Sequence, residues 1–213
     1  MDVSKDSALK IAEFLLQIKA VRLSPREPFQ WSSGWKSPIY CDNRKTLSYP
    51  NIRTFIRQQL TEVVTEKFGK PDAIVGVATG GIPQGVLVAQ ELGTSFAYIR
   101  PKPKEHGMHN RIEGVLTDEQ NVVVIEDLIS TGKSSIAAVE ALRENDITVK
   151  GLVSIFTYNL PAAEENLKNA NLQAFSLCDY ETLIEQALRS EYIAEKDLES
   201  LRKWRESPET WGK

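Results

Sequence analysis

Residues 122–135 have the sequence Val122-Val123-Val124-Ile125-Glu126-Asp127-Leu128-Ile129-Ser130-Thr131-Gly132-Lys133-Ser134-Ser135. The β-branched run at its start predicts a buried strand over 122–126 that ends in two adjacent carboxylates. A short loop of hydroxyl residues and glycine follows, and a helix is predicted over 133–145. Such a unit places its loop at the carboxyl edge of a parallel sheet, where α/β proteins bind ligands.

Apolar periodicity on both sides of this stretch predicts alternating strands and helices. The predicted strands are 73–78, 96–99, 122–126, 149–156 and 174–177, and the predicted helices are 7–20, 51–68, 83–92, 133–145, 161–169 and 180–206. Alternation of this kind indicates an α/β fold with a mainly parallel sheet flanked by helices. We interpret residues 1–213 as one domain, in which 1–70 form a small N-terminal layer, 71–180 the α/β core and 180–206 the C-terminal helices.

Two segments break the alternation. Residues 24–48 contain three prolines, several serines and two tryptophans, which predicts an irregular or hairpin-like segment. Residues 100–120 are predicted to form a long loop, and loops of that length in compact domains are usually functional or disordered.

The composition excludes several classes of protein. The chain has 213 residues, 41% of them hydrophobic and 26% charged, with a net charge of −3, which disfavours a broad basic face for nucleic acid. Its longest apolar runs are about five residues, far short of the roughly 20 that cross a bilayer. Acids near the N-terminus disfavour a signal peptide, and two cysteines make no disulfide framework. We expect a cytoplasmic protein that binds neither nucleic acid nor membrane.

The stretch 122–135 has the chemistry of a phosphate and sugar site. Loop N–H groups and a helix N-terminus favour a phosphate, and the hydroxyls of Ser130, Thr131, Ser134 and Ser135 could add donors. Two carboxylates can bind sugar hydroxyls or a divalent cation. The alternative is a solvated acidic pair beside a capped helix. A Walker A loop is excluded, because Asp127 stands where that motif requires glycine.

The segment 100–111 is a cationic patch in an acidic protein. Its charged residues are Arg100, Lys102, Lys104, Glu105 and Arg111, and it contains both histidines of the chain, His106 and His109. A mobile cationic loop suits a polyphosphate leaving group, because its charges neutralise those that develop as the group departs. A solvated charge run is the alternative.

Two further segments are candidates for ligand contact. Residues 29–42 are rich in aromatic residues and turn signals, so they could form a flap from which Tyr40 stacks on a planar ring. A hydrophobic hairpin packed on the sheet is the alternative. In 76–83, a Gly-Gly turn between a strand and a helix would let a phosphate approach the backbone closely, although such turns are common.

The stretch 122–135 resembles the 5-phosphoribosyl 1-diphosphate (PRPP) motif of type I phosphoribosyltransferases. The resemblance implies the fold of that family, an acidic pair on the ribose hydroxyls and a loop around the 5′-phosphate. It also implies Mg²⁺ held through substrate and water, with no direct protein ligand. The implied PRPP-binding residues are Arg100, Lys104, His106, Glu126, Asp127, Leu128, Ile129, Ser130, Thr131, Gly132, Lys133 and Ser134.

The segment 100–111 and the flap are similar to the flexible catalytic loop and the Ser-Gly-x-x-Ser-Pro segment of the orotate branch of the family. This implies transfer of the phosphoribosyl group from PRPP to orotate, giving orotidine 5′-phosphate and diphosphate in pyrimidine biosynthesis. It implies a homodimer with shared active sites. The implied catalytic residues are Arg100, Lys104, His106 and Asp127, and the implied orotate-binding residues are Lys36, Tyr40 and Ser130.

The chain departs from some members of that branch. Pro101, Ser32 and Gly80 stand where some members have lysine, and Tyr158 stands where some have arginine. Two alternatives therefore stay open. One is a purine phosphoribosyltransferase, which would share the PRPP site. The other is a PRPP-sensing regulator without catalysis, which would need a basic DNA-binding module.

Overall fold

The computed structural model describes residues 3–31, 34–102 and 111–212. The helices are α1 Lys5–Gln17, α2 Pro50–Phe68, α3 Gly81–Leu92, α4 Lys133–Arg143, α5 Pro161–Asn169, α6 Tyr180–Arg189 and α7 Glu195–Glu206, with a 3₁₀ helix at Asn43–Ser48. The strands are β1 Val21–Leu23, β2 Phe29–Gln30, β3 Lys36–Ser37, β4 Ile39–Cys41, β5 Ala73–Val77, β6 Ser95–Ile99, β7 Ile112–Glu113, β8 Asn121–Ile129, β9 Thr148–Thr157 and β10 Ala174–Asp179. Within these ranges, no helix is both long and apolar enough to cross a membrane.

The main sheet has six strands in the order β10-β9-β8-β5-β6-β7. All neighbours pair in parallel except β7, which is antiparallel to β6. Helices α2 and α3 pack together on one face, and α4 and α5 pack together on the other, as right-handed crossovers require. Val122 to Ile125 in the centre are fully buried, because both faces of β8 are covered. The predicted mainly parallel α/β architecture is confirmed.

The strand order of the sheet reverses between β5 and β8, which is a topological switch point. From β5 the chain passes through α3 to β6 on one side, whereas β8 lies on the other side of β5. Pairing between β5 and β8 ends at Gly76 and Ile125, while β8 continues along β9 as far as Ile129 and Thr157. A crevice at such a switch point is the usual ligand site of an open α/β sheet.

Several predicted boundaries were wrong. The predicted strand 122–126 is longer, so the two carboxylates lie within β8 and not after it. The predicted loop 100–120 contains β7, a two-residue strand too short to show a period. The predicted helical residues 180–206 form two helices, α6 and α7, whose boundaries the sequence pattern did not separate. In 24–48, the hairpin interpretation holds in part, since β1 pairs with β4 and β2 pairs with β3.

The N-terminal residues pack on the sheet as a further layer. Helix α1 packs against α6 and β10, and α2 packs against α3 and β9. The apolar stripe of α2 is buried at Ile56, Leu60 and Val64, as the spacing predicted. This layer brings the short hairpins and the 3₁₀ helix to the carboxyl edge of the sheet, beside the end of β8.

The first turn of α3 lies directly against the two central strands. A Cβ atom on Gly81 would come within 2.2 Å of the carbonyl oxygen of Ile125, and one on Gly76 within 2.9 Å of the carbonyl oxygen of Gly81. Only glycine allows this approach, because the neighbouring atoms belong to the backbone and cannot rotate away. The Gly-Gly turn is therefore a packing requirement as well as a candidate ligand contact.

Gly81→Ala should lower the free energy of unfolding by about 2–3 kcal/mol, because the new methyl group forces α3 away from β8. Urea denaturation monitored by circular dichroism measures the change. Val86→Ala, at a position of α3 that is 41% exposed, is the control and should cost less than about 1 kcal/mol. Equal losses in the two variants would contradict the close packing of this turn.

Candidate active site

A cleft of about 630 Å³ opens at the carboxyl edge of the sheet, between the end of β8 and the N-terminal hairpins. Its lining residues are Gln30, Trp31, Trp35, Tyr40, Cys41, Leu128, Ser130, Thr131, Lys133 and Tyr158. Among the predicted site residues, the structure brings Tyr40, Leu128, Ser130, Thr131 and Lys133 to this cleft. They come from two segments almost 90 residues apart, which the fold brings to the same cleft.

Glu126 is turned into the protein. The residue is 5% exposed, and its two carboxyl oxygens accept hydrogen bonds from the N–H of Asp127 at 3.0 Å and from the hydroxyl of Ser135 at 3.2 Å. Burial raises the pKa of Glu126, and the neighbouring charge of Asp127 raises it further. A neutral Glu126 is therefore favoured in the absence of ligand, with both oxygens already bound by its own chain.

Asp127 is the more accessible member of the pair. It is half-buried, and partial burial is the main cause that raises the pKa of its carboxyl group. The carboxyl group lies against the Gly-Gly turn, since a Cβ atom on Gly80 would come within 2.2 Å of its Cγ. The missing side chain of Gly80 thus leaves room for the Asp127 carboxylate at the switch point, where it could accept hydrogen bonds from hydroxyl groups.

The loop after β8 presents backbone N–H groups at the start of α4. Gly132 has φ of +77°, which favours glycine, and its carbonyl oxygen accepts the N–H of Ile136 at 2.9 Å. The N–H groups that precede Ile136 in the first turn have no intrahelical acceptor, so they could donate hydrogen bonds to an anion. Lys133 and Ser134 are exposed at this turn. Ile129 is only 2% exposed, so its side chain belongs to the core.

The cationic segment begins as an extension of the β6–β7 hairpin. The N–H of Arg100 donates to the carbonyl oxygen of Arg111 at 2.9 Å, and Nε of Arg111 donates back to the carbonyl oxygen of Arg100 at 3.0 Å. The guanidinium group of Arg100 lies 3.5 Å from the carboxylate of Glu113. Lys104 and His106, also predicted as site residues, lie outside the described residues.

The flap places its predicted residues differently. Tyr40 lines the cleft, is 37% exposed and packs against Phe29 with ring centroids 5.8 Å apart. Lys36 is absent from the cleft lining, and its ammonium group donates to the carbonyl oxygen of Gly212 at 2.9 Å. The structure therefore brings Tyr40 and Ser130 together but leaves Lys36 at the C-terminal segment.

An aromatic cluster closes the cleft on its inner side. The ring centroids of Trp31 and Tyr158 are 5.2 Å apart, and those of Tyr158 and Trp204 are 5.6 Å apart. Trp31 also donates from Nε1 to the carbonyl oxygen of Ile39 at 3.2 Å. The cluster connects the flap, the end of β9 and α7, so it holds the cleft wall in place.

Two asparagines contact the site without any local sequence signal. Nδ2 of Asn43 donates to the carbonyl oxygen of Asp127 at 2.6 Å, and Nδ2 of Asn166 donates to that of Thr131 at 2.9 Å. Sequence analysis missed both, because each bond joins segments distant in the chain. Among the described residues, no group of three or more His, Cys, Asp or Glu side chains could hold a metal ion.

The chain is similar to known proteins in sequence and in fold. The family model described as "Phosphoribosyl transferase domain" matches residues 46–171, which include the Gly-Gly turn and the acidic pair. The orotate phosphoribosyltransferase of Porphyromonas gingivalis is 54% identical over 95% of this chain and 96% of its own. That of Cytophaga hutchinsonii is 48% identical over 100% of both chains. The crystal structure of orotate phosphoribosyltransferase from Aeropyrum pernix has a TM-score of 0.75 and 29% identity, over 86% of this chain and 99% of that one.

Glu126→Gln should stabilise the unliganded protein at alkaline pH. Because burial raises the pKa of Glu126, the native state binds its proton more tightly than the unfolded chain does. That stability is complete below the ordinary pKa of glutamate and is lost as the pH rises through the folded pKa. Glutamine has no proton to lose, so the variant should exceed the wild type by about 1 kcal/mol or more at about pH 8 and by less at about pH 5.

Urea denaturation at the two pH values measures this difference. Glu199→Gln is the control, because the pKa of Glu199 is lowered by its hydrogen bond to Lys203. Removing that carboxylate should bring no gain in stability as the pH rises. A constant difference between Glu126→Gln and the wild type across pH would show that Glu126 has an ordinary pKa.

Proposed function

We propose the function of this chain from the premise that it belongs to the orotate phosphoribosyltransferase family. Its fold is that of the type I phosphoribosyltransferases, a mainly parallel sheet flanked by helices. The chain transfers the 5-phosphoribosyl group of PRPP to orotate, with release of diphosphate. The observation that carries this conclusion is the juxtaposition of the Asp127 carboxylate, the anion site at the start of α4 and the aromatic cleft.

The phosphoribosyl group makes two contacts at the carboxyl edge of the sheet, one through its ribose and one through its 5′-phosphate. Asp127 accepts hydrogen bonds from the ribose hydroxyls, and the N–H groups and hydroxyls of 130–134 bind the 5′-phosphate. Both contacts sit on one continuous segment that runs from β8 into α4, so their separation is set by rigid elements. Binding at both ends holds the anomeric carbon at the mouth of the cleft, ready for displacement.

The cleft beside this segment receives the planar base. Tyr40 offers an aromatic face there, and Ser130 offers a hydroxyl group at the loop that carries the phosphate site. Lys36 is exposed, and its hydrogen bond to the carbonyl of Gly212 is open to solvent. Replacing that carbonyl by the carboxylate of orotate therefore costs little free energy. We infer that the ammonium group of Lys36 donates to this carboxylate when orotate binds.

The cationic segment serves the leaving group. Arg100, Lys104 and His106 neutralise the charge that develops on the diphosphate as its bond to the anomeric carbon breaks. Arg100 forms its ion pair with Glu113 at a distance of 3.5 Å and remains partly exposed, so a diphosphate can compete for the guanidinium group. A segment supplied by a second copy of the chain would complete each site, which makes the functional unit a homodimer with shared active sites.

Magnesium fits the donor set as a partner of the substrate. The acidic pair at the end of β8 offers two carboxyl groups, of which that of Glu126 is already hydrogen-bonded. That is far fewer than the roughly six oxygen ligands Mg²⁺ prefers, so substrate and water would supply the rest, with Asp127 nearest. When bound, the ion would supply positive charge that balances the diphosphate.

The state of the two cysteines supports a cytoplasmic location, which we propose for this protein. Cys41 and Cys178 are both free thiols, which suits the reducing environment of the cytoplasm. Neither of the open alternatives, a purine transferase or a regulator without catalysis, is favoured by an observation on the described residues.

The decisive experiment measures the loss of orotate absorbance with PRPP and Mg²⁺, beside parallel reactions with hypoxanthine, xanthine and adenine. Of these four bases, only orotate should react with PRPP. Asp127→Asn should lower turnover about a hundredfold or more, because its ribose contacts tighten in the transition state, while stability changes by less than about 1 kcal/mol. Asp118→Asn, an exposed control in a loop, should keep full activity. Turnover of a purine base, or near-normal turnover by Asp127→Asn, would contradict the proposal.

Sharing of active sites is tested with two variants, Lys104→Ala and Asp127→Asn, each expected to be nearly inactive alone. When they are unfolded together and refolded in equal amounts, half of the dimers are hybrids. One site of each hybrid then combines intact residues from both chains, so roughly a quarter of wild-type activity should return. Each variant refolded by itself is the control. Hybrid dimers confirmed by mass but without regained activity would assign Lys104 to the site of its own subunit.

A further inference from the structure

We propose that Asn43 and Asn166 are positioning residues that hold the two ends of the segment 127–131, the first for the ribose contact and the second for the phosphate contact. Both act through main-chain carbonyl groups, one at Asp127 and the other at Thr131. This inference rests on the proposed function, because it assigns the segment between them to PRPP.

Asn43 takes the place of a missing strand. Pairing between β5 and β8 stops at Ile125, so the backbone of Asp127 lies beyond its neighbour on that side. The side chain of Asn43, which is 1% exposed, fills the position and donates to the Asp127 carbonyl at 2.6 Å. In a trans peptide the C=O and the following N–H point in opposite directions, so this bond directs the N–H of Leu128 toward β9. The backbone that carries the Asp127 carboxylate is thereby fixed on both sides.

The orientation of the Asn43 amide is itself determined. Its Oδ1 accepts the thiol of Cys41 at 3.3 Å, which leaves the NH₂ group to face Asp127. The main-chain carbonyl oxygen of Asn43 accepts a hydrogen bond from the hydroxyl of Thr46 at 2.6 Å. The same hydroxyl accepts a hydrogen bond from Nε2 of Gln84 at 3.4 Å. Thr46 and Gln84 are almost completely buried. A buried chain of hydrogen bonds thus connects α3, the 3₁₀ helix and the acidic end of β8, and it favours the observed orientation of the Asn43 side chain.

Asn166 performs the corresponding task from the opposite face. It is half-buried on α5 and donates to the carbonyl of Thr131 at 2.9 Å. That carbonyl shares its peptide with the N–H of Gly132, which therefore points away from α5. Gly132 has φ of +77°, so the direction of this peptide is set locally by the turn and at a distance by Asn166. The bond thus orients one of the N–H groups assigned to the 5′-phosphate.

The two residues should affect different kinetic constants. Loss of the Asn43 bond frees the peptide of Asp127, whose ribose contacts matter most in the transition state, so kcat should fall. Loss of the Asn166 bond loosens the phosphate grip, which substrate and transition state share, so KM for PRPP should rise. A merely structural role for either residue would lower stability without this division.

The variants are Asn43→Asp and Asn166→Ala, compared with Asn51→Asp on α2 and Asn169→Ala on α5, both exposed. Asn43→Asp keeps the shape of the side chain but cannot donate when ionised. Its kcat should fall about ten- to a hundredfold, the effect of a displacement of about 1 Å. The ratio of its kcat to that of the wild type should rise as the pH is lowered, because a protonated carboxylic acid donates again.

For Asn166→Ala, KM for PRPP should rise about tenfold with kcat within about twofold of the wild type. Both control variants should match the wild type. If Asn43→Asp does not fold, Asn43→Ser, which keeps a hydroxyl donor, should fold and show an intermediate loss of kcat. Unchanged kcat in the Asn43 variant and unchanged KM in the Asn166 variant would overturn the proposal.

Deuterium exchange of the peptide that covers 126–132, measured without ligand, tests positioning separately from activity. Exchange should quicken in the two variants and stay unchanged in the two controls. A wild-type protein without orotate-dependent activity would contradict the proposed function, and exchange would still decide the positioning role. An active wild type whose variants exchange like the controls would contradict the positioning role alone.

Discussion

Two carboxyl groups at the end of a buried strand are the constraint on which the rest of this structure depends. A carboxylate taken out of water loses hydration, and it is tolerated only where hydrogen bonds compensate or the proton is retained. The protein uses both solutions at Glu126, which accepts two hydrogen bonds from its own chain and has a raised pKa. Asp127 is then left as the carboxylate with access to the crevice.

The crevice exists because the neighbouring turn has no side chains. Gly80 and Gly81 lie so close to β8 that a methyl group on either would collide with Asp127 or with the Ile125 carbonyl. A lysine at the position of Gly80 would meet the same Asp127 carboxyl group. Glycine at position 80 is therefore needed for the observed position of the Asp127 carboxyl group.

The N-terminal layer contributes more than a cover. Its 3₁₀ helix delivers Asn43 to the end of β8, and its hairpins deliver Tyr40 and Trp31 to the cleft. The aromatic contacts of Trp31 with Tyr158 and Trp204 tie those hairpins to the core and to α7. Polar contacts thus fix the side of the site that we assign to the phosphoribosyl group, while aromatic packing fixes the side that we assign to the base.

The sequence by itself determined the α/β class, the approximate positions of the helices and of the five parallel strands of the main sheet, and the segment that carries the candidate site. These follow from local signals: a β-branched run before two carboxylates, apolar periodicity in α2 and glycine at helix ends. The C-terminal end of β8 and the two residues of β7 were not predictable, because polar or very short strands are defined by their partners.

Only the tertiary structure decided where the residues of the candidate site lie relative to one another. Whether Glu126 or Asp127 faces the crevice depends on Ser135 and on the turn at Gly80, and neither contact leaves a trace in the sequence around the pair. The hydrogen bond of Lys36 to Gly212 joins residues 176 positions apart, and that of Asn43 to Asp127 joins residues 84 apart. Such bonds depend on where the chain folds back in three dimensions, which no local pattern of residue types records.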